Sequence, residues 1–426
     1  MIAWVIRAVT TLAGSDAPFW VRLAAPLFHG VTALILGGLA GRLWGRAAAL
    51  ATGLGYATLP MVALGSAIIS TDTIMFVFLA GAMAAWVGTL SRPGVTRAVL
   101  AGGLLGLAFL SKYAALYYLF GAALAAIWPV ARPGWRAAMT ALAAFLLVIA
   151  PNVLWNLANG LTTVEHTLDN ADWVRDPGTR AALNPASLLS FFGAQFAVFG
   201  PVSMAALLAC ILGVAGRRVA LRPLWLSLAL PPILVVCAQA LLSRAYANWA
   251  ASAYLAGAML VFPLLLRHPR WLALSFALNG AVSLALPLAA VFADRLEWRG
   301  RLALERYVGQ AEMSRALIAA TREEGLDTLV ASHRDILADL FYTGRDAGLA
   351  LYALPVSGRA PHHYALRYAL PAGEAPVALV TVDEPPPFCL TAPARLKAWT
   401  PAIGAYRGHQ ITLWRVPAGC LNGGGS

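Results

Sequence analysis

Two charged residues interrupt the apolar stretches of this sequence at places where chemistry could be done. Lys112 closes the run GGLLGLAFLS and is followed at once by YAALYY; the chain's other lysine is Lys397. An ammonium between two membrane-spanning segments costs roughly 3 kcal/mol or more unless it reaches water or meets an anion. Lys112 therefore either snorkels to lipid headgroups, with Tyr113, Tyr117 and Tyr118 in an aromatic belt, or faces a phosphate carried on a lipid as a strong point charge. Asp72 follows Ser70-Thr71 and opens another apolar run. As a first-turn carboxylate it is worth about 1 kcal/mol to its helix. Facing outward, it could instead bind a sugar hydroxyl, a metal or a partner cation.

Three further groups have suitable residue types. In Arg244-Ala245-Tyr246-Ala247-Asn248-Trp249, the arginine suits a lipid phosphate or a recognition role and the asparagine suits a helix cap. Glu165-His166, with Asp169, Asn170 and Asp172 nearby, offers a divalent metal an imidazole and carboxylates, although the spacing matches no strong metal motif. A solvated polar loop is the plainer reading. His362-His363-Tyr364 and Phe341-Tyr342 could stack on a carbohydrate, but filling a small core explains them as well. No phosphate-binding loop, dinucleotide fingerprint, HExxH or nucleophile elbow occurs in a supporting context. Gly102-Gly103 suits close helix packing.

The elements that must position these groups are membrane helices. Of 426 residues 60% are hydrophobic and 12% charged, which excludes an ordinary soluble domain. A net charge of +12 could suggest nucleic acid, but the arginines are scattered between apolar runs and read as topology signals. Ten runs approach the ~20 residues that cross a bilayer: 20–40, 47–64, 72–90, 98–111, 113–130, 137–155, 187–214, 223–242, 249–266 and 271–291.

One set of loops holds Arg42, Arg46, Arg92, Arg97, Arg132, Arg136, Arg217, Arg218, Arg222, Arg267 and Arg270. The positive-inside rule puts this set in the cytoplasm. Asp72, Lys112, the 156–185 loop with its four acidic residues and the tail then face outward. Ten spans with an outward tail also require Met1 outside, so a membrane helix and an outer loop are expected upstream of it. Residues 1–13 pattern as an interfacial amphipathic helix, with Ile2, Val5, Ile6 and Val9 near one face.

The division expected is 1–291 for the membrane domain and 292–426 for a small α/β domain. In the latter, β-like runs at 328–332, 349–354, 377–382 and 411–416 alternate with helical patterns at 295–325, 335–342 and 392–399. Cys210 and Cys237 fall in apolar runs as packing residues. Cys389 and Cys420 lie in the tail, where an oxidising compartment would allow them to pair.

The ordered set FWVRLAAPLFHG, GRLWGRAAALATGLGYATLP, STDTIMFVF, GLLGLAFLSKYAALYY, PNVLWNLANG and SRAYANWAASAYL resembles the bacterial membrane glycosyltransferases of family 39, over roughly residues 2–266. These have the GT-C fold and are related to protein mannosyltransferases and the aminoarabinose transferase of lipid A. SHRDILADLFYTGRDAGLALYAL resembles their periplasmic domain. The resemblance implies a polytopic α-helical protein of the bacterial inner membrane, with about ten transmembrane helices and a C-terminal periplasmic α/β domain. It implies transfer of a sugar from a polyprenyl-phosphate donor to a lipid, glycan or protein acceptor at the periplasmic face.

Carried over, the resemblance places Lys112 near the donor phosphate, with Tyr113, Arg244 and Asn248 as further substrate-binding candidates and Asp72 as an acidic contributor. Glu165 and His166 would lie over the site, with a divalent metal as the cofactor to consider. The family's base belongs in the first outer loop, which is expected upstream of Met1. Two other classes stand beside the enzyme: a flippase for a lipid-linked sugar, and a non-catalytic membrane scaffold. A flippase would be expected to show internal repeats and mid-membrane charges, and neither is apparent.

Overall fold

The computed structural model describes residues 1–161, 163, 183–358, 360–386 and 393–422. It divides into two compact units, Met1–Pro287 and Leu288–Ser426.

The first unit is helical: α1 (Ile2–Ala13), α2 (Pro18–Trp44), α3 (Arg46–Ala57), α4 (Pro60–Ala67), α5 (Thr71–Ser91), α6 (Val95–Ser111), α7 (Leu116–Ala125), α8 (Trp135–Ala158), α9 (Pro185–Val198), α10 (Pro201–Ile211), α11 (Arg222–Leu242), α12 (Ala253–Leu265) and α13 (Pro269–Val291). Proline begins α2, α4, α9, α10 and α13, where its missing N–H costs nothing and its fixed φ suits the first turn. In α1, Trp4 and Leu12 are exposed while Ile2, Val5, Ile6 and Val9 are half-buried, the face that the sequence pattern predicts.

All ten apolar runs form helices or helix pairs, but not ten equivalent spans. Among the described residues α2, α5, α8, α11 and α13 are long and apolar enough to cross a membrane, and two bent pairs bring the number to seven. The run 47–64 bends by 54° between α3 and α4, and 187–214 bends by 115° between α9 and α10. The second break has a local cause. Gly200 adopts φ +86°, which L side chains rarely take, and a Cβ there would lie 2.1 Å from Asn279 Oδ1. Pro201 then starts the next helix. The runs 98–111, 113–130 and 249–266 yield helices of 17, 10 and 13 residues. In α12 every residue but Leu264 is buried, so its all-round apolar surface meets protein rather than lipid.

Helices α5 and α6 are antiparallel neighbours joined by a short turn, and α6 packs closely on α8. The contact between α6 and α8 depends on Gly102, where a Cβ would stand 1.9 Å from the Ala141 carbonyl oxygen; at Gly103 it would meet nothing within 4 Å.

In the second unit, a sheet ordered β4-β3-β5-β7-β6 joins β3 (Thr328–Ala331), β4 (Ala350–Ala353), β5 (Pro376–Val382), β6 (Ala394–Trp399) and β7 (Ile411–Pro417). β3 runs parallel to β4 and β5, while β7 runs antiparallel to β5 and β6. Helices α14 (Gln310–Glu323) and α15 (Arg334–Thr343) pack on it through Leu317, Ile318, Ile336, Leu337 and Leu340.

Two segments differ from the sequence pattern. Residues 392–399 were expected to be helical, yet the part described is the edge strand β6, whose backbone bonds to β7 outweigh its weak helical period. The front of 295–325 is a two-stranded hairpin, β1 (Glu297–Trp298) and β2 (Arg301–Leu302), turned by Arg299 and Gly300 with φ of 53° and 76°, the geometry that joins twisted strands. Phe341 stacks on Tyr364 at 5.1 Å and lies tilted against Tyr368 at 4.7 Å, and His362 caps its helix by accepting from Ala365 N–H. These aromatic and histidine residues thus serve the domain's own packing. Cys210 and Cys237 are free thiols and Cys420 is disulfide-bonded; Cys389 lies outside the described residues.

Gly102→Ala is expected to cost about 1–3 kcal/mol by forcing α6 from α8, while Gly103→Ala is neutral or better. Thermal unfolding of the two detergent-solubilised variants checks this, and equal midpoints would contradict it.

Candidate functional site

The end of the bundle where α5 begins and α6 finishes carries the site. Ser70 caps α5, its Oγ accepting from Thr73 N–H at 3.3 Å. Asp72 is thereby in the first turn, where the unpaired N–H groups and the positive helix end favour a carboxylate. Lys112 follows the last residue of α6 with an extended backbone (φ −158°, ψ 131°), at the end that favours a cation. Because the two helices are antiparallel, opposite charges sit where each helix dipole supports them.

The pair is direct. Lys112 Nζ donates to Asp72 Oδ1 at 2.7 Å and to Oδ2 at 2.8 Å. Asn248 Nδ2 donates to Oδ2 at 3.2 Å, from a 3-10 turn at Ala247–Ala250. The lysine side chain is 25% exposed and the aspartate 15%, so neither charge is in bulk water and both can be reached. Two of the ammonium's three hydrogens are taken by the carboxylate, leaving one donor.

A second layer fixes these groups. Gln195 Nε2 donates to the Ala247 carbonyl at 3.2 Å, and Tyr254 hydroxyl donates to Gln195 Oε1 at 2.6 Å. The turn bearing Asn248 is thus tied to α9 and α12. On the other side His29, 3% exposed in α2, lies 2.9 Å from the Tyr56 hydroxyl through Nδ1 and 3.3 Å from Thr73 Oγ1 through Nε2. Thr73 Oγ1 is in turn 3.2 Å from Ser70 Oγ. These contacts hold the start of α5 against α2 and α3.

Of the residues singled out in the sequence, Asp72, Lys112 and Asn248 are brought together. Tyr113, though next to Lys112, turns toward α8: its hydroxyl donates to Asn152 Oδ1 at 3.1 Å and its ring stacks on Phe109 at 4.6 Å. Arg244 precedes the turn bearing Asn248, and its carbonyl accepts from Gln239 Nε2 at 3.3 Å. Glu165 and His166 fall outside the described residues, among which no group of three His, Cys, Asp or Glu could hold a metal ion. The supporting residues Thr73, Asn152, Gln195 and Tyr254 do not stand out in the pattern. His29 carried a signal: an ionisable residue inside an apolar span is a functional candidate by default.

The description of the dolichyl-phosphate-mannose-protein mannosyltransferases matches residues 1–155. Across 99% of this chain and 89% of the relative, the sequence is 40% identical to a lipid A galacturonosyltransferase, RgtD, of Rhizobium johnstonii. The fold is similar to that of ArnT from Cupriavidus metallidurans. In its apo state the TM-score is 0.58 at 14% identity, covering 97% of this chain and 86% of that one. Bound to undecaprenyl phosphate it is 0.59 at 13%, covering 97% and 87%.

Removing either charge strands the other in a half-buried place. Lys112→Met and Asp72→Asn should each lower stability, while the double variant should lose less than the sum, with a coupling of about 1–3 kcal/mol. A double-mutant cycle by thermal unfolding measures it; strict additivity would show that the two charges act independently.

Proposed function

The chain belongs to glycosyltransferase family 39, and from that premise we propose that it transfers a sugar from a polyprenyl-phosphate donor to a lipid acceptor at the periplasmic face of the bacterial inner membrane. The 40% identical relative is a lipid A galacturonosyltransferase, so the donor sugar proposed is galacturonic acid and the acceptor lipid A. The multi-pass helical fold suits a reaction whose activated sugar arrives through the bilayer.

The observation that carries the site assignment is the lysine held by both oxygens of Asp72 at the end of α6. In the transfer, an acceptor hydroxyl oxygen attacks the anomeric carbon while the carbon–oxygen bond to phosphate breaks. The bonding pair leaves on the polyprenyl phosphate, and the acceptor's proton passes to a base. Negative charge grows on the departing phosphate, so a cation fixed beside it lowers the barrier more than it tightens the ground state.

Lys112 supplies that cation, and Asp72 fixes its direction by engaging two ammonium hydrogens while the third meets a phosphate oxygen. Asn248 keeps Asp72 Oδ2 in place when the phosphate competes for the lysine. Asp72 is a positioning residue in this account.

With full-length protein, galacturonosyl-polyprenyl-phosphate and lipid A, Lys112→Ala is expected to reduce transfer by about 10²–10³-fold, the size of one lost charge-stabilising contact. Asp72→Asn should lower kcat less while raising KM, because the lysine remains but loses its anchor. Unchanged transfer by Lys112→Ala would remove this residue from the reaction.

A further inference from the structure

A separate basic cleft lies wholly within the second unit. Arg301, Glu305 and Arg306 form one wall, from the β1–β2 hairpin and the turn after it. Gly404, Ala405, Arg407, Gly408 and His409 form the other, around a cavity of about 390 Å³.

The walls are stitched together. Ala405 N–H donates to the Val308 carbonyl at 2.8 Å, and Arg407 Nη1 reaches Gly300 O and Glu305 Oε1, both at 3.4 Å. Gly404, at φ +90°, lets the loop lie flush on 308–309: a Cβ there would stand 2.6 Å from Val308 O. His409 Nδ1 lies 2.5 Å from Asp383 Oδ2, and Gln410 N–H donates to Asp383 Oδ1 at 2.6 Å. The hydrogen bond from His409 holds the Asp383 carboxyl below its usual range.

Glu305 and Asp383 are therefore already engaged by Arg407 and His409. Among the described residues, the Arg301 and Arg306 side chains form no ion pair. The cleft thus has a surplus of guanidinium donors whose planar fork matches a phosphate bidentately.

The surroundings say where that phosphate comes from. Large apolar side chains on the same elements face outward: Trp298 is 71% exposed, Tyr307 73% and Ile403 66%, with Phe292 and Leu296 also exposed. Aromatic rings of this kind interleaved with arginines are the composition of a membrane interface. The hairpin begins at Glu297 and the preceding membrane helix ends at Val291. The chain between them reaches at most about 20 Å, so the cleft's first wall is tethered near the headgroups by covalent structure alone.

We propose that the cleft between Arg301, Arg306 and Arg407 binds the phosphate of an anionic membrane lipid, with Trp298, Tyr307 and Ile403 seated at the bilayer surface. This site is distinct from the Asp72–Lys112 pair and stands whether or not that pair takes a donor phosphate.

Hydrogen–deuterium exchange of the full-length protein in nanodiscs tests it, using phosphatidylcholine alone, phosphatidylcholine with phosphatidic acid, and phosphatidylcholine with added inorganic phosphate. Peptides spanning 292–309 and 401–410 should exchange on the order of tenfold more slowly with phosphatidic acid, and little differently with inorganic phosphate. Arg301→Gln/Arg306→Gln should abolish the difference, while Arg301→Lys/Arg306→Lys retains part of it, which separates lost charge from a misfolded hairpin. The proposal is overturned if exchange is the same in neutral and anionic nanodiscs, or if the double Gln variant responds like the wild type. Full protection by inorganic phosphate alone would make this a free-anion site and overturn the lipid assignment.

Discussion

A membrane protein keeps a charge near its apolar core only where something answers it, and the bond from Lys112 to both oxygens of Asp72 is the answer here. It stands at the one place in an antiparallel helix pair where the dipole of each helix supports the charge it bears. The cap from Ser70 sets the first turn of α5, and the extended backbone at Lys112 ends α6 so that the ammonium faces across rather than along the bundle. Neither helix could slide by a turn without separating the charges. Partly exposed, the ammonium keeps one hydrogen beyond the two that the carboxylate takes.

The rest of the first unit can be understood as support for that arrangement. Gly102 lets α6 lie against α8, and Tyr113 fastens the end of α6 to Asn152. His29 and Thr73 hold the start of α5, and Gln195 with Tyr254 holds the turn that brings Asn248 to Asp72. Buried polar contacts of this kind fix geometry, because leaving any one of their members unpaired in an apolar bundle is costly. In the proposed reaction the donor arrives on a lipid, and this fixed ammonium is the group proposed to meet its phosphate.

Much of this was legible in the sequence because membrane helices advertise themselves. A run of apolar residues ending in a lysine has few structural outcomes, and both Asp72 and Lys112 could be assigned to one face of the membrane from the arginine loops. The mutual bond could not be read, since it depends on the phase of two helices. Supporting residues such as Gln195 and Tyr254 were hidden because their types are ordinary and their partners distant in the chain. The break within 187–214 hinges on one glycine φ angle, and the strand at 394–399 on a neighbour it meets only after folding. The candidates Glu165 and His166 lie outside the described residues.

In the proposed reaction everything turns on one contact, that of the third ammonium hydrogen of Lys112 with the donor phosphate. With two lysines in the chain, solid-state NMR on protein labelled with 15N at lysine side chains, loaded with undecaprenyl phosphate, reads this contact directly through 15N–31P dipolar coupling. Coupling corresponding to a nitrogen–phosphorus separation within about 4 Å is expected, lost in Lys112→Arg and kept in Lys397→Arg. Bound lipid showing no such coupling in the wild type, or coupling that persists without Lys112, would contradict it.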